Sequence, residues 1–203
     1  MPGSLVGVTI SPAKGPIMPA RSALVVGAGV AALTAAFCLR RSRWDVVLLD
    51  HATSRHDPLF VLHGENRAAA RRLGLVPALA DGAQPDVAAV LRAALSGVTI
   101  RRGVRAAALV PDDCGVTVTF FDGDDEWFDL VVGDACLSDV DGLAGRIVHV
   151  GGVDELYAAE LLVDAFDIFP DAETAVRWWR KQLRPSPRKR SAVIGRRVRA
   201  VKA

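Results

Sequence analysis

The residues best suited to chemistry form a short run near the start of the chain, Val25-Val26-Gly27-Ala28-Gly29-Val30-Ala31-Ala32, with an acid, Asp50, 23 positions beyond Gly27. Gly27, Gly29 and Ala32 fit the pattern G-x-G-x-x-G/A, and each position has a physical task. A glycine at 27 permits a tight turn out of a strand. A glycine at 29 removes the Cβ that would keep a pyrophosphate away from the backbone. A small residue at 32 lets a helix pack closely on the strand. The phosphates would then rest on free N–H groups at a helix N-terminus, favoured by the helix dipole. Asp50 would accept hydrogen bonds from ribose hydroxyls, and its charge would repel a 2′-phosphate. The chemistry suggested is capture of an adenine dinucleotide.

That constellation works only if a strand, a turn, a helix and a second strand hold it. Ser22–Val26 (SALVV) is an apolar run ending at glycine, which reads as a buried strand. In Val30–Arg41, Val30, Leu33 and Phe37 share one face and alanines fill the rest, which reads as a helix. Asp45–Asp50 (DVVLLD) reads as a second buried strand. Strand, glycine turn, helix and strand within about 30 residues make the βαβ crossover of a parallel sheet. Further on, helices are expected at 65–73, closed by Gly74, and after Asp86, closed by Gly97. Strand-like segments lie at 98–101, 106–110 and 116–121, and the DDCG and DGDD stretches read as hairpin turns. Two more buried strands are expected at 128–132 and 146–150, then two helices at 154–166 and Ala172–Leu183, the second ended by Pro185 and Pro187. The expected fold class is α/β: a Rossmann-like parallel sheet with helices on both faces and a small inserted antiparallel β-meander.

Composition narrows the function classes. Hydrophobic residues make up 51% of the 203, the balance of a globular protein, so a packed core is expected. No apolar run reaches the roughly 20 residues of a membrane-spanning helix. The first 20 residues are rich in Pro and Gly, lack a signal-peptide pattern and are expected to be disordered, with Met18 as an alternative start. Cys38, Cys114 and Cys136 are odd in number and widely spaced, which fits a reducing cytoplasm. The four histidines fall into no ligand spacing with them, so no metal site is expected. From Arg180 onward the chain carries ten Lys or Arg and no acid, whereas residues 1–179 carry 15 basic and 23 acidic residues, a net −8. A basic tail raises nucleic acid or anionic lipid as partners; the plainer reading is a surface helix and a solvated tail, and nucleic acid is not expected. His149, in an apolar run, reads as a core histidine, and Cys38 as a packed one. Trp178 and Trp179 are adjacent on a helix and cannot share a face, so one belongs to the core and the other could mark a protein-partner surface. No Ser-His-Asp order or carboxylate pair stands out, and no catalytic residue is assigned.

With those segments in place, the sequence resembles the FAD-dependent aromatic hydroxylases, the p-hydroxybenzoate hydroxylase-like monooxygenases, discontinuously over most of 22–190. SALVVGAGVAALTAAFCLRRSRWDVVLLD resembles the family's opening FAD unit, and ENRAAARRLGL its helix ending in Leu-Gly-Leu. GVTVTFFDGDDEWFDLVVGDACLS resembles the segment leading to its Asp-Gly motif, GRIVHVGG the strand before its Gly-Asp motif, and AVRWWRKQLRPSPRKR the helix that closes its FAD domain. The resemblance implies FAD as cofactor, NAD(P)H as electron donor, a small-molecule substrate, and FAD contacts from Gly27, Gly29, Ala32, Asp50 and Asp134. It also implies losses. Family members run to about twice this length, and most of their substrate domain has no counterpart here, between Leu75 and Val98 and again between Ser138 and Gly145. The Asp-Gly motif aligns with Asp134-Ala135 and Ser138 only with a one-residue deletion, and the Gly-Asp motif reads Gly151-Gly152. The domain division expected is 1–20, a single FAD/NAD(P)-binding unit at 21–184, and a basic tail at 185–203. The functional expectation is an FAD-binding oxidoreductase of reduced or lost activity; the alternative is a non-catalytic nucleotide-binding or structural partner protein.

Overall fold

The computed structural model describes residues 21–50, 64–75, 86–133, 146–150 and 154–183. Five strands form a parallel sheet in the order β3-β2-β1-β7-β8, built from β1 (Ser22–Val26), β2 (Asp45–Asp50), β3 (Thr99–Arg102), β7 (Leu130–Gly133) and β8 (Ile147–His149). Three more, β4 (Ala106–Pro111), β5 (Val116–Phe120) and β6 (Asp125–Phe128), form a separate antiparallel meander. The helices are α1 (Val30–Arg41), α2 (Gly64–Arg72), α3 (Val87–Ala94), α4 (Glu155–Ile168) and α5 (Ala172–Leu183).

The two sheet faces are read off the strands by alternation. Ala23, Val25, Val46, Leu48, Leu130, Val132 and Val148 point to one side and share a core with all five helices. Leu24, Val26, Leu49, Val131 and Ile147 point to the other, where Val116, Val118, Phe120 and Phe128 of the meander cover them. Helices on both faces were expected; among the described residues they lie on one face only, because the meander supplies the apolar layer that the second face requires. The central strands are buried on both sides, which explains their unbroken apolar runs.

One local departure from the sequence reading has a clear cause. Segment 128–132 is not one strand. Phe128 ends β6 and Leu130 begins β7, with Asp129 at the corner, its carboxylate accepting from Ser22 N at 2.7 Å and Ser22 Oγ at 3.2 Å. That clasp ties the exit of the meander to the start of β1. The strand-like segment at 98–101 joins the parallel sheet: β3 pairs in parallel with β2, Ile100 beside Leu48 and Arg102 beside Asp50. Gly74 and Gly97 end their helices at φ +75° and +78°, as the C-cap reading required. No helix of the described residues is long and apolar enough to cross a membrane.

Candidate functional site

In a parallel sheet, ligands bind beyond the carboxyl ends of the strands. The glycine turn lies there. Gly27 follows β1 at φ +124°, a conformation that disfavours a side chain, and its N–H donates to Leu49 O at 3.1 Å, joining the turn to β2. Gly29 is the N-cap of α1, with φ −71° and ψ 169°, and its carbonyl accepts from Leu33 N at 3.0 Å. Ala32 is buried in the helix–sheet core, where a larger side chain would push α1 away. Asp50 ends β2 half-buried; its carbonyl accepts from Gly103 N at 3.3 Å, so the end of β3 lies beside it. A shallow cavity of about 200 Å³ opens at that end, lined by Gly103, Val104, Arg105, Phe121 and Asp122.

The helix N-termini separate into two kinds. The first N–H groups of a helix lack intrahelical partners and need an acceptor. In α3 the Asp86 carboxylate accepts from Ala89 N at 3.0 Å, and at α5 Asp171 accepts from Thr174 N at 2.7 Å. In α4, Asn66 reaches over from α2 and its Oδ1 accepts from Leu156 N at 3.1 Å and Tyr157 N at 3.3 Å. At α1 no described side chain plays this part, Gly29 has none to offer, and no acid stands in the first turn. Both α1 and α4 follow strands of the parallel sheet and start at its carboxyl edge. Of the two, only α1 leaves its dipole and N–H groups open to an anion.

One residue at the turn escapes the motif reading. Arg92 of α3 donates from Nη2 to Ala28 O at 3.0 Å, bringing a guanidinium to the glycine turn. The only sequence signal is a single Arg in the otherwise apolar VAAVLRAA, and nothing in its spacing ties it to a turn 64 residues away. α2 is locked to α4 by Arg72, which donates from Nε to both carboxylate oxygens of Glu160 at 2.9 and 3.1 Å and from Nη2 to Oε2 at 2.5 Å. This clamp steadies the helix that carries Asn66.

The remaining candidates divide. Asp134, Gly151, Gly152 and Cys136 lie outside the described residues. His149 is exposed, not a core residue: it sits on the edge strand β8 with its side chain out of the packed alternation of Ile147 and Val148. Cys38 is buried as expected, and burial pushes its thiol up to about 12. Trp179 is the core member of the tryptophan pair, its Nε1 donating to Ala158 O at 2.8 Å. Trp178 is half-buried and packs on Phe169 at 5.9 Å between ring centroids. Among the described residues no group of three or more His, Cys, Asp or Glu side chains could hold a metal ion.

No family model and no curated protein matches the sequence. Solved structures do match. Tetracycline destructase Tet(55) superposes with a TM-score of 0.52 at 20% identity, over 63% of this chain and 43% of that one. The p-nitrophenol 4-monooxygenase PnpA from Pseudomonas putida DLL-E4 gives 0.48 at 20% identity, over 61% and 43%. CabE, an aromatic hydroxylase from angucycline biosynthesis, gives 0.48 at 24% identity, over 56% and 30%. The chain thus spans less than half the length of each of these proteins. The resemblance drawn from the sequence holds at the level of the fold, carried by the Tet(55) superposition.

Proposed function

We propose that this chain binds FAD through the adenosine diphosphate half of the cofactor, as a shortened relative of the flavin-dependent monooxygenases with reduced or lost oxygenase activity. One observation carries the reading: α1 opens at the carboxyl edge of the sheet behind a glycine turn, with no described side chain on its first N–H groups, while α3, α4 and α5 have theirs engaged. The residues present fit that end of the cofactor. Gly27 makes the turn, Gly29 leaves room for the pyrophosphate, Ala32 lets α1 approach the sheet, and Asp50 holds the ribose. Arg92 steadies the turn through Ala28 O and adds a positive charge near the phosphates. The cavity at Gly103–Arg105, next to Asp50, suits the base that follows the ribose.

When bound, the flavin would supply electron transfer and reaction with oxygen; the protein's part is to hold it, orient it and exclude water. Asp134 is the proposed contact toward the flavin ring. NAD(P)H as electron donor and a small-molecule substrate belong to the same reading. A second reading, a non-catalytic nucleotide-binding or structural partner, is favoured by the sequence Gly151-Gly152, where the related enzymes carry an Asp. The absorbance spectrum of purified protein, before and after incubation with FAD, tests the proposal. Flavin bands that stay with the protein through gel filtration are expected. Protein that remains colourless after reconstitution, and that also fails to bind ADP, would overturn it.

A further inference from the structure

Asp50 has a charged neighbour that the sequence alone does not disclose. β3 runs parallel to β2, and Arg102 lies in register with Asp50. Registered residues of adjacent parallel strands project to the same side of the sheet, from backbones about 4.8 Å apart. The side is fixed by the alternation along each strand. Leu48 belongs to the core shared with the helices and Leu49 to the core covered by the meander, which puts Asp50 on the helical side. On β3, Arg101 pairs with Leu49 and points toward the meander, where it donates to Glu126 at 2.7 and 3.0 Å and its guanidinium lies 5.4 Å from the Phe120 ring centroid. Arg102 therefore projects with Asp50 to the side on which α1 begins. It is exposed, and its side chain forms no ion pair with a described residue.

Alone, a carboxylate at the end of β2 turns away a ribose that bears a 2′-phosphate. Here the two charges beside the ribose cancel to first order, because Asp50 and Arg102 stand at matching height on neighbouring strands. What remains is positive: the Arg92 guanidinium on Ala28 O, and the dipole of α1, worth about half a charge at its N-terminus. A 2′-phosphate carries about −1.5 to −2 charges at pH 7 and offers three acceptor oxygens, which a guanidinium fork meets with two parallel bonds. We infer that the seat at α1 also takes adenine dinucleotides phosphorylated at the ribose 2′ position, with Arg102 as the residue that reads that phosphate. NADP(H) is a ligand of this class and competes with FAD for the same place. This assignment rests on the pyrophosphate seat proposed for α1 and extends it from one class of dinucleotide to two.

NAD+ and NADP+ differ by that phosphate alone, so the difference between their affinities isolates it. Each is titrated calorimetrically into the full chain, with ADP as competitor. The wild-type chain should bind NADP+ at least as tightly as NAD+, and ADP should displace both. Arg102 is exposed, so Arg102→Ala should leave the fold intact. It should weaken NADP+ by roughly tenfold, one charge-assisted contact discounted for exposure, and change NAD+ and ADP by less than about threefold. Arg102→Lys keeps the charge without the fork and should recover part of the loss. A wild-type preference for NAD+ would overturn the inference. So would equal losses of both ligands in Arg102→Ala, or NADP+ that ADP fails to displace. A chain that binds ADP but refuses NADP+ removes Arg102 from this role and leaves the pyrophosphate seat standing, whereas a chain that binds neither loses both.

Discussion

Replacing Asn66 by Ala should destabilise the fold out of proportion to its size. Asn66 is buried, and its Oδ1 alone accepts from two N–H groups at the start of α4, Leu156 N at 3.1 Å and Tyr157 N at 3.3 Å. Asp154, the residue at the N-cap, makes no side-chain capping bond of its own. Loss of a helix cap costs about 0.5–2 kcal/mol, and each buried donor left unsatisfied about 1–3. Water entering at the helix end would return part of this, which leaves about 2 kcal/mol. For a chain of this length that corresponds to a fall in Tm of roughly 4–8 °C. Urea titration followed by circular dichroism measures it directly. Asn66→Asp keeps the acceptor and places a negative charge at a helix N-terminus, so it should recover part of the loss. A change under about 0.5 kcal/mol for Asn66→Ala, the size of an ordinary surface substitution, would refute the reasoning. The capping of α4, and with it the contrast that singles out α1, would then carry no energetic weight.

Four further outcomes are expected. Asp50→Ala should weaken ADP and FAD binding by about 1.5–3 kcal/mol, the worth of a charge-assisted hydrogen bond, and a titration showing no loss would remove Asp50 from the site. Gly115→Ala should destabilise by roughly 1–3 kcal/mol, because its Cβ would collide with the Trp127 ring and with Phe128 O at 2.5 Å, neither of which can retreat cheaply; an unchanged urea midpoint would contradict this. The Cys38 thiol, raised from 9.0 to about 12 mainly by burial, keeps its proton in the folded state while the unfolded chain ionises, so its contribution is complete below pH 9 and is lost as pH rises toward 12. Cys38→Ala should therefore flatten the alkaline decline of stability, by up to about 1.4 kcal/mol per pH unit in that window; identical slopes would contradict the assignment. With FAD bound, NAD(P)H oxidation should be slow and poorly coupled to product, with peroxide accounting for most of the electrons, and tight coupling to a hydroxylated product would contradict the proposed loss of activity.

Much of the fold was legible because its signals are local. The limits of α1, β2 and α5 follow from apolar periodicity bounded by glycine, acid and proline, and the structure returns Val30–Arg41, Asp45–Asp50 and Ala172–Leu183 unchanged. The layer order was not legible. A run such as LVV in β7 is buried on both sides whether a helix or a meander covers it, so the apolar pattern cannot say which. Likewise DEWF does not alternate as VTVTF does, since Glu126 turns inward to meet Arg101 and Trp127 outward, so β6 was hidden in a turn. His149 was misjudged because an apolar neighbourhood in sequence is not burial; at the end of the edge strand β8 it is exposed although Ile147, Val148 and Val150 are buried. At the site, the glycine pattern is local and was readable, whereas Asn66 and Arg92 act across 90 and 64 residues and leave no periodic trace.

The central claim is that the open N-terminus of α1 is a pyrophosphate seat. Calorimetric titration of ADP into the wild-type chain and into Gly29→Val tests it most directly, with riboflavin as a control that lacks phosphates. The wild-type chain should bind ADP, should bind riboflavin weakly or not at all, and should lose ADP binding in Gly29→Val while keeping its unfolding free energy to within roughly 1–3 kcal/mol, the cost of a turn substitution. A folded Gly29→Val variant with undiminished ADP affinity would contradict the account.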